Sequence, residues 1–141
     1  MNINISEAEW EVMRVVWSND VVTSKLVMDT LSKKKEWSAS TVKTLLSRLV
    51  CKNILSTEKI GNKFFYNSIY TESDCLENLT QTFLKKFCTK KTKLITNYII
   101  EENNLSKSDI DSIIKLLLEK RKVAEDRVSC NCIKGQCTCK K

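Results

Sequence analysis

Ten residues near the end of the sequence, CNCIKGQCTC over 130–139, hold four thiols: Cys130, Cys132, Cys137 and Cys139. They form two Cys-x-Cys pairs with four residues between them, and only Lys140 and Lys141 follow. Thiolate sulfur is soft and takes Cu(I) or Zn(II) in preference to hard cations. Four cysteines complete the tetrahedron that Zn(II) wants, although structural zinc sites more often use Cys-x2-Cys spacing. The tighter Cys-x-Cys suits thiolates shared between Cu(I) ions. Gly135 lets the spacer reverse so that the two pairs face each other, and Lys134, Lys140 and Lys141 favour the thiolate form. The expected ligand of this tail is therefore Zn(II) or Cu(I). Four thiolates carry the same net charge with one Zn(II) as with two Cu(I), so a differential response to the two metals must rest on geometry. Cys51, Cys75 and Cys88 stand alone and read as small buried apolar residues, with no function assigned.

Other chemistry is poorly supplied. The 141 residues include no histidine, which removes the usual general base and the Ser-His and Cys-His nucleophile pairs. The two glycines, Gly61 and Gly135, lie in no phosphate-binding motif. No group of Lys, Tyr or carboxylates suggests catalysis, and the expectation is that the protein is not an enzyme. No apolar run approaches a membrane span and the N-terminus lacks a signal-peptide core, so a cytoplasmic location and no membrane partner are expected. In that reducing compartment a dense cysteine cluster reads as a metal or redox device rather than a disulfide framework.

Charge is unevenly placed within a net +7. Residues 1–32 carry two basic and five acidic side chains, whereas residues 33–63 carry eight basic and two acidic. On counts alone this is a solvated basic surface. Its placement is more informative. EWSASTVKTLLSRLVCKN reads as a helix whose Val42, Leu45, Leu46 and Leu49 follow the spacing of a buried face. The opposite face presents Ser40, Thr41, Lys43, Thr44, Ser47 and Arg48, and no carboxylate occurs from Trp37 to Asn53. Short hydroxyl side chains permit close approach to a DNA groove, and Lys43 and Arg48 suit phosphates or guanine edges.

The elements around that helix give it a setting. The absence of proline argues for long helices. ISEAEWEVMRVVW opens with Ser6 as a cap and Glu9 positioned to reach back as a capping box, followed by an apolar stripe through Trp10, Met13, Val16 and Trp17. A second helix begins near Thr23 with Leu26, Val27 and Leu31 inward, and Ser38 caps the third. ILSTEKIGNKFFYNSIY then changes period to two β-rich runs, about 54–60 and 63–69, around a tight turn at Gly61-Asn62, with Lys59 and Lys63 beside its tip. Three helices and a hairpin are the element order of a winged helix-turn-helix, in which the third helix enters the major groove and the hairpin lies along the backbone. Lys59, Asn62 and Lys63 complete the expected DNA-contacting set.

From Asp74 helical periodicity returns. Leu76, Leu79, Phe83 and Phe87 form one stripe, and Leu94, Ile95, Tyr98 and Ile99 another. Ser106 and Asp109 mark a further helix start, before the strongly amphipathic Ile110, Ile113, Ile114, Leu117 and Leu118. This block is too short and too apolar to stand alone. It is expected to bury Leu94, Tyr98, Ile110, Ile113, Ile114, Leu117 and Leu118 against a second copy, the alternative being that it folds back on the N-terminal domain. The expected organisation is mainly α with a small β-hairpin: a winged-helix DNA-binding domain over 1–72, a helical dimerisation region over 73–123 and a Cys-rich tail over 124–141.

SEAEWEVMRVVW, WSASTVKTLLSRLVCKNIL and EKIGNKFFY resemble the BlaI/MecI/CopY family of bacterial repressors, from about Ser6 to Leu118. The resemblance implies a homodimer on a palindromic double-stranded operator. One branch of that family answers β-lactams through proteolysis at an Asn-Phe bond; the comparable place here is Asn97-Tyr98. The copper-responsive branch carries a C-terminal Cys-x-Cys…Cys-x-Cys motif, matched position by position by Cys130, Cys132, Cys137 and Cys139. Copper homeostasis is thus the implied role, with repression by the zinc form, release by copper and a copper-donating chaperone among the partners to consider. Two other readings stay open: a β-lactam- or redox-responsive repressor of the same family, and a metallothionein-like copper-binding protein.

Overall fold

A computed structural model describes residues 3–139. The chain divides into two compact units, Met1–Thr80 and Gln81–Lys141. The first contains α1 (Glu7–Ser18), α2 (Ser24–Leu31), α3 (Ala39–Cys51), β1 (Leu55–Ile60) and β2 (Lys63–Ser68). It also holds most of α4 (Glu72–Leu84), whose Cys75 is buried in the same core. The first unit thus ends within α4.

Local chemistry starts each of the first three helices. Ser6, Thr23 and Ser38 accept hydrogen bonds from the backbone N–H groups of Glu9, Leu26 and Thr41. One sequence expectation fails at α1. The Glu9 side chain does not close a capping box; it is buried and takes the Lys52 ammonium at 2.7 and 2.9 Å. The C-terminus of α3 ends in a Schellman motif. Asn53 adopts a left-handed φ of 59°, Ile54 N–H donates to Leu49 O at 3.0 Å, and Asn53 N–H donates to Val50 O at 3.0 Å.

The core joins Val12, Met13 and Val16 of α1 to Val27 and Leu31 of α2, to the inner face of α3, and to Ile54 and Leu55. Val42, Leu45, Leu46 and Leu49 are all buried there, as their spacing required. Each fully buried aliphatic side chain is worth roughly 1.5–3 kcal/mol, against about 1 kcal/mol for a helix cap. Packing, more than capping, thus sets the orientation of α3, and with it the polar face on its other side. Trp17 is half-buried at the rim of the core and donates through Nε1 to Ser68 Oγ at 3.2 Å and Tyr70 O at 3.1 Å, tying α1 to the end of the hairpin.

The hairpin is antiparallel with Leu55 opposite Ser68 and Ile60 opposite Lys63, leaving Gly61-Asn62 as a two-residue turn. Gly61 has φ +64°. A positive φ at the first central position but not at the second, Asn62, is the signature of a type II′ turn, whose twist matches the strands. The other edge of β2 is partly used: Thr23 bridges Phe65, and Tyr66 N–H donates to Val22 O at 2.9 Å. The start of α2 is thereby anchored beside the hairpin. This is a winged helix.

The second unit has a 3-10 turn (Thr89–Lys91), α5 (Thr92–Glu102) and α6 (Lys107–Arg121), followed by the tail. Phe87 falls beyond α4, so the stripe expected through Leu76, Leu79, Phe83 and Phe87 is broken after Phe83; the Phe83 and Phe87 rings meet edge to face at 5.1 Å. The Ser106–Asp109 capping box is complete, with Asp109 Oδ2 accepting from Ser106 N–H at 3.0 Å and Ser106 Oγ accepting from Asp109 N–H at 3.0 Å. Neither α5 nor α6 buries any residue. Among the described residues, no helix is long and apolar enough to cross a membrane.

Candidate nucleic-acid interface and metal centre

The outer face of α3 is a shallow open depression lined by Ser40, Lys43, Thr44, Ser47, Arg48 and Cys51. It runs into a second concavity between α3 and the hairpin, shared at Lys43, Ser47 and Cys51 and closed by Asn62, Lys63, Thr57, Phe64 and Tyr66. Neither lining contains a carboxylate. The register explains the second wall: Thr57 faces Tyr66 and Lys59 faces Phe64 across the strands, so these four share one hairpin face. Lys59 itself lies over the Phe64 ring, 5.6 Å from its centroid.

Most of the residues singled out from the sequence thus meet on one surface. Thr41 stands apart from both linings; its hydroxyl lies 3.1 Å from Ser38 Oγ at the helix start. Thr44 is on the surface but its hydroxyl donates back to Ser40 O at 2.9 Å. Thr23, Ser24 and Lys25 were missed, and they join the concavity because the Thr23–Phe65 bridge brings the start of α2 to the hairpin. Their only sequence signal is the capping pattern at Thr23. Cys51, expected to be buried, is exposed on this surface, whereas Cys75 is buried and its thiol is pushed up by desolvation.

The tail cysteines gather, with an addition from elsewhere in the chain. The sulfurs of Cys88, Cys130, Cys132 and Cys139 all lie within 4.8 Å of one another. Cys88 Sγ is 3.2 Å from Cys139 Sγ, and Cys132 Sγ is 3.7 Å from Cys139 Sγ. Cys137 lies outside this mutual group but is 3.7 Å from Cys130 Sγ. Gly135, at φ +92°, makes the expected reversal, with Gln136 N–H donating to Ile133 O at 3.1 Å. Of the lysines expected to favour thiolates, Lys134 is exposed, and Lys140 and Lys141 lie outside the described residues. Thr89 seats the tail, its N–H donating to Asn131 Oδ1 at 3.1 Å and its hydroxyl to Ser129 O at 2.6 Å.

Proton affinity is split within the cluster. Hydrogen bonding from the Lys90 backbone N–H, then from the Cys139 thiol, lowers Cys88 to about 6. Cys139 is pushed up to about 11, chiefly by donating to Cys88. Cys132 is raised through its bonds to Cys130 and Cys88, and Cys137 is lowered by the Cys139 backbone N–H. The Cys88 thiolate thus accepts from the Cys139 and Cys132 thiols, both held up, an arrangement in which a cation can take the place of the protons. The donor set fits a soft metal. Zinc–sulfur bonds of about 2.3 Å place tetrahedral sulfurs about 3.8 Å apart, close to the separations here.

A winged helix with a carboxylate-free basic face on its third helix defines a DNA-binding module. The model of the penicillinase repressor family matches residues 5–119, and the chain belongs to this family of DNA-binding transcriptional repressors, the BlaI/MecI/CopY group. The match ends before the four tail cysteines. The chain is 39% identical over 137 residues to an uncharacterised 16.5 kDa protein encoded in the ptsI 3′ region of Latilactobacillus sakei, covering 97% of this chain and 94% of that one. It is 34% identical over 115 residues to the penicillinase repressor of Bacillus licheniformis, covering 82% and 90%. A solved CopR repressor structure is 43% identical with a TM-score of 0.42, over 50% of this chain and 99% of that one.

Proposed function

We propose that the protein is a copper-responsive transcriptional repressor in the cytoplasm. It binds a palindromic operator as a homodimer in the zinc form and leaves it when Cu(I) replaces Zn(II) at the C-terminal thiols. The observation that carries this reading is the thiol cluster built onto a repressor of this family.

In this reading α3 lies in the major groove. Lys43 and Arg48 reach bases or phosphates, Ser40, Thr44 and Ser47 allow close approach, and Lys59, Asn62 and Lys63 follow the backbone. Lys25 and the α2 N-terminus, on the same surface, add a phosphate contact. The homodimer is supported by exposed apolar side chains on α5 and α6: Leu94, Tyr98, Ile110, Ile114, Leu117 and Leu118 are each at least 42% exposed, and Ile113 is half-buried. Large apolar side chains exposed together on two successive helices support an interaction surface. Nothing in the fold speaks for a copper-donating chaperone, which is not part of the proposal.

Strong switching requires metal exchange to favour the released form by about 5.5 kcal/mol. That is below the ~10–16 kcal/mol apparent binding energy of a structural zinc site, so exchange has sufficient energy. The test is an operator gel shift of the zinc-loaded protein as Cu(I) is added. Wild type should be released. A variant with Ser at positions 130, 132, 137 and 139 should not respond. Coincident curves would defeat the reading.

A further inference from the structure

We propose that Cys88 is a ligand of the zinc form, completing a tetrahedral set with Cys130, Cys132 and Cys139, and that Cys137 is the sulfur left out. The inference rests on the metal-responsive reading above and changes its ligand set. Four sulfurs within 4.8 Å of one another meet the spatial requirement of one tetrahedral ion, and Cys137 is not among them. The placement of Cys88 does not depend on sulfur contacts alone. The adjacent Thr89 holds the tail through its hydrogen bonds to Asn131 and Ser129. The tail is therefore seated against the residues just before α5 by side chain and backbone as well as by thiols.

The consequence is topological. A site made of the tail alone would close a loop within residues 130–139 and leave the rest of the chain untouched. A site that includes Cys88 closes a loop from just before α5 to beyond α6. Both helices that carry the exposed apolar face lie inside that loop. Metal occupancy then constrains the segment on which dimerisation is proposed, which gives the tail a physical route to operator affinity. Cys137, 3.7 Å from Cys130, remains a spare soft ligand for a second ion when Cu(I) enters.

Cobalt(II), a spectroscopic stand-in for zinc, tests this in the full chain under anaerobic reducing conditions. Its thiolate charge-transfer absorption scales with the number of bound sulfurs. Cys88→Ser should lower that absorption by about a quarter, one ligand in four, while Cys137→Ser should leave it unchanged. Zinc affinity by chelator competition should fall for Cys88→Ser by at least the roughly tenfold cost of losing even an outer-shell partner. A second measurement needs no variant: alkylation mapped by mass spectrometry should show Cys88 protected by zinc and Cys137 still reactive. If Cys137→Ser loses the absorption and Cys88→Ser keeps it, or both lose it equally, the inference is overturned while metal sensing stands. Wild type without any charge-transfer band would overturn both.

Discussion

The Glu9 carboxylate, buried at the start of α1, grips the Lys52 ammonium at the end of α3 at 2.7 and 2.9 Å, and Lys52 also donates to Asn4 O at 3.1 Å. The two partners are unequal: the Glu9 side chain is 3% exposed and that of Lys52 is 35% exposed. Removing the lysine strands a buried carboxylate. Removing the acid leaves an ammonium that can turn to water. Lys52→Met should therefore destabilise the fold by about 3 kcal/mol, the lower end for breaking a buried pair. Glu9→Gln should cost clearly less. Urea midpoints at constant slope would measure both, and equal losses would contradict the asymmetry.

The α3 surface predicts a division of labour on DNA. Lys43→Ala or Arg48→Ala should each cost roughly 1–3 kcal/mol at the operator where the lost contact is to a base. Lys63→Ala at the hairpin tip should weaken operator and scrambled duplex alike and reduce the salt slope by about one phosphate. Fluorescence anisotropy against both duplexes over a salt series separates these outcomes. Unchanged affinity in all three would remove the assignment.

Ile114 and Leu117 are 50% and 53% exposed on α6. Placing Asp at either should abolish a homodimer without altering the melting of the winged helix, because neither side chain belongs to its core. Operator binding should fall with the dimer, since two half-sites about one helical turn apart need two linked modules. Sedimentation of wild type and variants at micromolar concentration decides it; a monomeric wild type would end this account.

Cys88 should be the most readily ionised thiol of the metal-free cluster. Its proton affinity is lowered to about 6, first by the Lys90 backbone N–H, so the thiolate predominates above that pH and is lost below it. Only the thiolate is nucleophilic. Pulse alkylation at Cys88 should thus rise from pH 5 and level off above pH 7. Cys139, held up at about 11, should remain slow across that range. Equal pH profiles at the two sites would refute the assignment.

Gly61 holds φ +64° with nothing near its missing Cβ, so only backbone strain opposes a side chain there. Gly61→Ala should cost about 1–2 kcal/mol and loosen the hairpin tip that carries Asn62 and Lys63. Thermal melting and DNA affinity should both decline; an unaffected melt would show that the turn relaxes freely.

Much of this molecule was written in local pattern. The spacing of Val42, Leu45, Leu46 and Leu49 fixed which side of α3 faces inward, and hence which side is left polar. Gly61-Asn62 set the hairpin turn, and Gly135 the reversal of the tail, because each needs only the conformational preference of its own residues. Pairings between distant positions were invisible to such rules. Glu9 had a local partner available in its own helix start, and burial beside Lys52 outcompeted it, since a desolvated carboxylate gains more from a cation than from a backbone N–H. Cys88 carried no spacing signal at all. Only the path of the chain through α5 and α6 brings it back to the tail, where a thiol that looked solitary becomes one of four sulfurs within 4.8 Å of one another.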